Sequence, residues 1–263
     1  MNDPHVNALF YRLITAEDVD YDKAPPLSGD TNDFMYTITR DSAQFTMKSH
    51  FATEEEAKKV VDSFLQAWSI SIGLDYTPDE IVFRFERSEI IDRCPPRKES
   101  KCKSLSASVS ETIHVSDSVS GHLSKGRFPP PPNNFTISPD VETMYLRYKA
   151  YRQNRESLLS MAYMCLTMIV ASAGGKRKDA AKKYYIEFNV LNKLGELTST
   201  RGSESEARKV NKKIAFTPLS QNEKIWIEKV IKRIIIRFGE YAFEDEQKFQ
   251  TITMNDFPKL DLT

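Results

Sequence analysis

Two short runs of cations are the residues whose types and spacing point most directly to a chemistry: Lys176-Arg177-Lys178 and Lys182-Lys183, followed at once by Tyr184 and Tyr185. Ammonium and guanidinium groups neutralise phosphates, and a neighbouring aromatic ring offers a face on which an unpaired base stacks. A second basic group, Arg208-Lys209 with Lys212-Lys213, lies in a polar stretch that reads as a loop between 198 and 217. Such a loop can fold onto RNA or DNA. These side chains are the candidate nucleic-acid contacts. The competing explanation is ordinary solvation of a bundle helix, since cations at a helix N-terminus oppose its dipole. Tyr145, Tyr148 and Tyr151, spaced by three, read as a packed stripe rather than a base platform.

Other chemistries find less to work with. His5, His50, His114 and His122 all precede residue 125, so the rest of the chain has no imidazole for proton transfer or metal ligation. An enzyme with an unrecognised site near His50 or His114 is a third reading, after assembly and nucleic-acid binding. Glu54-Glu55-Glu56 opens a helix, where the dipole favours negative charge, and Asp79-Glu80 and Glu86 with Glu89 read as solvated strand faces. Cys94, Cys102 and Cys165 are odd in number and form no C-x-x-C pair, which points to reduced thiols and a cytoplasmic setting. A Cys94–Cys102 loop closed in an oxidising compartment is the alternative. No H-E-x-x-H, G-x-G-x-x-G, Walker, G-x-S-x-G or helix-turn-helix pattern occurs, so no catalytic residue, metal or cofactor is expected.

The elements that must carry these residues fall into two parts with opposite charge. The 263 residues hold 37 Lys+Arg against 37 Asp+Glu, a formal charge of zero. Residues 1–92 carry −10, residues 93–263 carry +10, and the segment 144–237 alone carries +12. That separation fits either a polyanionic ligand or docking of the chain's own halves. With 40% apolar and 28% charged residues the chain is a folded protein with a sizeable core.

The first part reads as α+β: a strand at 9–14, a loop at 24–30, a hairpin of 34–39 with 44–47, a strand at 81–87 and one or two more within 104–115. Thr53 and Glu56 form a capping box. Behind it Ala57, Val60, Val61, Phe64, Leu65 and Trp68 make an apolar stripe able to cover the sheet. Gly126 to Asn134, with four consecutive prolines, reads as a stiff linker. Expected domains are therefore 1–125, an antiparallel sheet with a covering helix, a linker at 126–138, and an all-α domain at 139–263.

In that second part the periodicity predicts one helix over 139–173, another over 178–194, and a third opened by a Ser220/Glu223 capping box. Residues 157–175 are uncharged, close to the length of a membrane span. Their serines and the charged turns before them favour the central helix of a bundle instead, and no membrane partner is expected. The start of the chain lacks a basic stretch followed by an apolar core, which predicts no secretory signal.

Met144-Tyr145-Leu146-Arg147-Tyr148 with Leu158-Leu159-Ser160-Met161-Ala162-Tyr163, and 219–226 with 231–240, resemble the helical domains of uncharacterised bacterial proteins similar to the HEPN superfamily. Members that cut RNA carry an Arg followed four to six residues later by His. Arg152, Arg155, Arg233 and Arg237 have no such partner, so the resemblance implies a non-nucleolytic helical module. By analogy it implies an accessory protein of bacterial defence or of a mobile element. The reading is a non-enzymatic assembly or recognition protein with a protein partner or a second copy, and nucleic-acid binding through the basic residues as the alternative.

Overall fold

The computed structural model describes residues 2–94, 123–201, 217–243 and 249–260. The strands expected within 104–115, together with Cys102, His114, His122, Arg208, Lys209, Lys212 and Lys213, lie outside the described residues. The fold is α+β, an antiparallel sheet with a helix, followed by helices. Two compact units divide it: Met1–Ser69 with Asp79–Pro130, and Ile70–Pro78 with Pro131–Thr263.

The first unit is built on strands β1 (Pro4–Thr15), β3 (Leu27–Asp30), β4 (Phe34–Ile38), β5 (Ser42–Met47) and β6 (Ile81–Asp92). They lie in the order β3-β4-β5-β1-β6, and every pairing is antiparallel. The hairpin, β1 and β6 fall where the alternation placed them, although β1 and β6 run further. Residues 27–30 form β3 rather than loop. Leu-Ser-Gly-Asp has no strand signature of its own, and its ladder to β4 makes it a strand. Gly29 lies opposite Tyr36, whose ring covers it so closely that a β-carbon there would collide. Short strands β2 (Val19–Asp20) and β7 (Leu123–Ser124) pair in parallel.

Helix α1 (Glu54–Asp75) starts at the expected box. The Glu56 amide donates to Thr53 Oγ1 at 3.3 Å and the Thr53 amide to the Glu56 carboxylate at 3.3 Å. Phe64 meets Phe34 and Tyr36, each at 5.3 Å between ring centres, and Trp68 meets Phe83 at 5.4 Å. Edge-to-face and tilted pairs like these add about 0.5–1.5 kcal/mol each beyond the area they bury. Part of the proline segment belongs to this core: Phe128 stacks on Tyr21 at 4.8 Å, and the Trp68 indole donates to the Pro129 carbonyl at 3.1 Å. Glu80 departs from the solvated face expected of it. It is 2% exposed and accepts from Tyr21 Oη at 2.6 Å and from the Lys125 ammonium at 2.5 Å.

The second unit holds helices α2 (Pro139–Arg152), α3 (Leu158–Ser172), α4 (Arg177–Lys183), α5 (Phe188–Thr200) and α6 (Gln221–Phe243), then the short 3-10 turn Met254–Asp256. Ile70 and Leu74, from the last turns of α1, share its core. The single helix expected over 139–173 is two. Asn154 turns left-handed at φ 55°, and the Ser157 hydroxyl accepts from the Ser160 amide at 3.2 Å as the cap of a new helix. The helix expected over 178–194 is likewise two, α4 and α5, and α5 runs on through 198–200, where a loop was expected. The third helix begins at its box, with the Ser220 amide 2.8 Å from the Glu223 carboxylate. The uncharged run forms α3, with Met161, Ala162, Cys165 and Ile169 wholly buried in the unit's core. Among the described residues no single helix is long and apolar enough to cross a membrane; α3 and α4 reach that length only as a pair, bent by 78°.

Candidate nucleic-acid interface

The candidate surface begins where α3 stops. Gly174 and Gly175 take φ 87° and 90°, and their amides donate back to Ala171 O at 3.1 Å and Val170 O at 2.8 Å. This double left-handed ending is open to glycine and strained for other residues, and it turns the chain directly into α4. Ala180 and Ala181 bury the inner side of α4, which leaves its charged residues for the outside.

Of the five candidates on this helix and its cap, three point to solvent. Lys176, Lys178 and Lys182 are exposed, and among the described residues none of their ammonium groups has a carboxylate partner. Lys178 lies 5.9 Å from the centre of the Phe188 ring. The other two are spent on the fold. Arg177 is half-buried, donates to Asn192 Oδ1 at 3.4 Å and lies over Gly195, where a β-carbon would strike its guanidinium. Lys183 donates to Ser172 O at 2.9 Å, a cation on the carbonyl end of α3, where the helix dipole favours it.

Between α4 and α5 the chain reverses at Tyr184 and Tyr185, and the two rings part. Tyr184 is buried and stacks on Phe238 at 4.4 Å, whereas Tyr185 is exposed and adopts φ 52°. Arg237, 1% exposed, holds the turn: its Nη1 donates to Tyr184 O at 2.7 Å and Tyr185 O at 3.2 Å, and its Nη2 to Gln250 O at 2.8 Å. Its Nε donates to Glu240 at 2.8 Å, and Arg233 donates to the same carboxylate at 2.8 Å. Burial pushes Glu240 up, and the two guanidinium groups more than reverse that, holding its carboxyl below the usual range.

Three rings then lie side by side. Tyr185 meets Phe249 at 5.8 Å, Phe249 meets Tyr241 at 6.2 Å, and the Lys183 ammonium is 5.6 Å from the Tyr241 ring. Tyr241 and Phe249 are about sixty residues beyond Tyr185, so no local spacing announces the group. The stripe reading of Tyr145, Tyr148 and Tyr151 fits their buried or half-buried positions. No protein-family model, curated protein or solved structure matches this chain.

The remaining candidate centres are bound up in their own surroundings. His50 stacks on His5 at 5.3 Å and lies 3.7 Å from Asp3. Among the described residues no group of three or more His, Cys, Asp or Glu is placed to hold a metal ion. Cys165 is buried, and desolvation together with nearby Glu156 pushes its thiol up to about 12, which leaves it inert as a nucleophile. Cys94 is exposed. A cavity of about 330 Å³ between the starts of α3 and α6 is lined by Tyr151, Glu156, Ser157 and Lys224 among others, and Glu156 is already held by Arg147 and Ser160.

Proposed function

We propose that this chain is a non-enzymatic recognition protein whose helical unit binds nucleic acid. One observation carries the reading: Lys176, Lys178 and Lys182 stand exposed on one short segment with no carboxylate partner among the described residues. Most other cations of that unit that the structure describes are engaged. Arg147, Arg152, Lys193, Arg201, Lys232 and Arg233 all pair with carboxylates. An unpaired lysine trio gains most from a polyanion, because each phosphate it neutralises releases condensed counterions.

The test is a titration of labelled single- and double-stranded RNA and DNA at about 50 and about 200 mM salt. Three phosphate contacts predict an affinity loss of about 20-fold for a single strand and about 40-fold for a duplex over that range. Changing Lys176, Lys178 and Lys182 to Gln should remove most of that salt dependence. No binding at low salt, or equal binding by the triple variant, overturns the reading and turns attention to protein partners.

A further inference from the structure

We infer that Tyr185, flanked by Phe249 and Tyr241, is a stacking platform for unpaired bases, so that the ligand is single-stranded. The inference rests on the nucleic-acid reading above and deepens it. A residue at φ 52° is ordinarily Gly, Asn or Asp, because a β-carbon crowds the backbone in that region. A tyrosine there needs a reason, and full core burial does not supply one, since the residue is 36% exposed. The fold nevertheless fixes the conformation firmly. The fully buried Arg237 grips the carbonyls of Tyr184 and Tyr185, and the Ile252 amide donates to Tyr185 O at 2.8 Å. Backbone strain held in place by surrounding structure is characteristic of sites that present a side chain to a ligand.

Charge complementarity selects the occupant. Lys182 is exposed in the last turn of α4, three residues before Tyr185, and the Lys183 ammonium adjoins Tyr241. Lys183 is held by Ser172 O and adds only its positive charge beside Tyr241, whereas Lys182 is exposed with no carboxylate partner among the described residues. An exposed ring on such a cationic segment suits a strand that offers a phosphate and a free base face together. A duplex offers the phosphates, but its bases are stacked within the helix, so it gains nothing from the rings.

The experiment compares wild type, Tyr185→Asn, Tyr185→Phe and the Lys176/Lys178/Lys182→Gln variant. Probes are a labelled mixed-sequence oligoribonucleotide, the oligodeoxyribonucleotide of the same sequence, and the duplex of each. Asn accepts the left-handed conformation, so Tyr185→Asn should keep or raise the melting temperature. Its single-strand affinity should fall about 5- to 150-fold, with the salt slope and the duplex affinity unchanged. Tyr185→Phe keeps the ring and should bind as wild type does. Unchanged single-strand affinity in Tyr185→Asn, with the lysine variant impaired, overturns the platform and leaves nucleic-acid binding standing. Equal loss on single strands and duplexes also overturns it. No binding of any probe by wild type removes both readings. The RNA and DNA arms show which sugar the surface prefers.

Discussion

His5 has a hydrogen-bond donor at each ring nitrogen. Arg93 Nη2 lies 2.9 Å from Nε2, and the Phe51 amide lies 3.4 Å from Nδ1. A neutral imidazole can accept at one nitrogen and a protonated ring at neither. His5 is 2% exposed, stacks on His50, and has Asp3 as the one carboxylate acting on it among the described residues. Burial, then Arg93, then His50 lower its pKa below 6.5. A group whose folded pKa lies below its unfolded one binds more protons unfolded, so its stabilising contribution is present above pH 6.5. That contribution is lost as pH falls through the folded value. Thermal midpoints recorded from pH 7.5 to 4.5 should therefore fall more steeply below about pH 6.5 in wild type than in His5→Gln. Parallel curves would clear His5 of the role. This cluster explains His50 as a stacking partner, which the sequence could not show: the two residues are far apart, and only the strand pairing brings them together.

At the scale of elements, capping boxes were legible and interruptions were not. Thr53 with Glu56 and Ser220 with Glu223 declare their helices because cap and reciprocal carboxylate are three residues apart. The break after Lys183 falls in a run whose apolar residues carry on through Tyr184, Tyr185, Ile186 and Phe188, that after Arg152 falls in the polar run 152–157, and the left-handed residues that make them are Asn154 and Tyr185. Asn there is a weak signal and Tyr is none. Gly239 raises the matching question of why a helix interior holds a glycine. The Phe135 ring lies where its β-carbon would be, and the Thr136 amide donates to Gly239 O at 3.0 Å, which ties the approach to α2 onto α6. Alanine gains about 1 kcal/mol of helix propensity over glycine, yet overpacking costs about 1–3 kcal/mol. Gly239→Ala should accordingly lower the unfolding free energy, by up to about 2 kcal/mol, in denaturant titrations followed by far-UV circular dichroism. A gain in stability would mean that Phe135 moves aside freely.

For the whole molecule, the division of charge was visible in the sequence and the division of packing only partly so. Residues 70–78 group with the helical unit although α1 runs on to Asp75 without a break, and nothing in an uninterrupted amphipathic pattern marks where the residues of one core end and those of the other begin. Gly73 shows the physical reason for the grouping, since the Tyr145 side chain of α2 occupies the space of its missing β-carbon. The candidate site was legible as a basic run, but its partition was not. Whether a lysine faces solvent or caps α3 depends on a bend between helices that residue types do not encode. That partition has a consequence for a chain of zero formal charge. A uniform charge distribution would give little affinity for a polyanionic matrix at neutral pH, whereas local potential at an unpaired cluster is felt within about a Debye length, about 10 Å at 0.1 M salt. The protein should therefore be retained on immobilised heparin at pH 7 in low salt despite its neutrality. Replacing Lys176, Lys178 and Lys182 with Gln should bring elution to markedly lower salt, while Gln at Lys23, Lys58 and Lys59 in the acidic first unit should leave it unchanged. Equal shifts from the two triple variants would mean that net charge, not the α4 surface, governs retention.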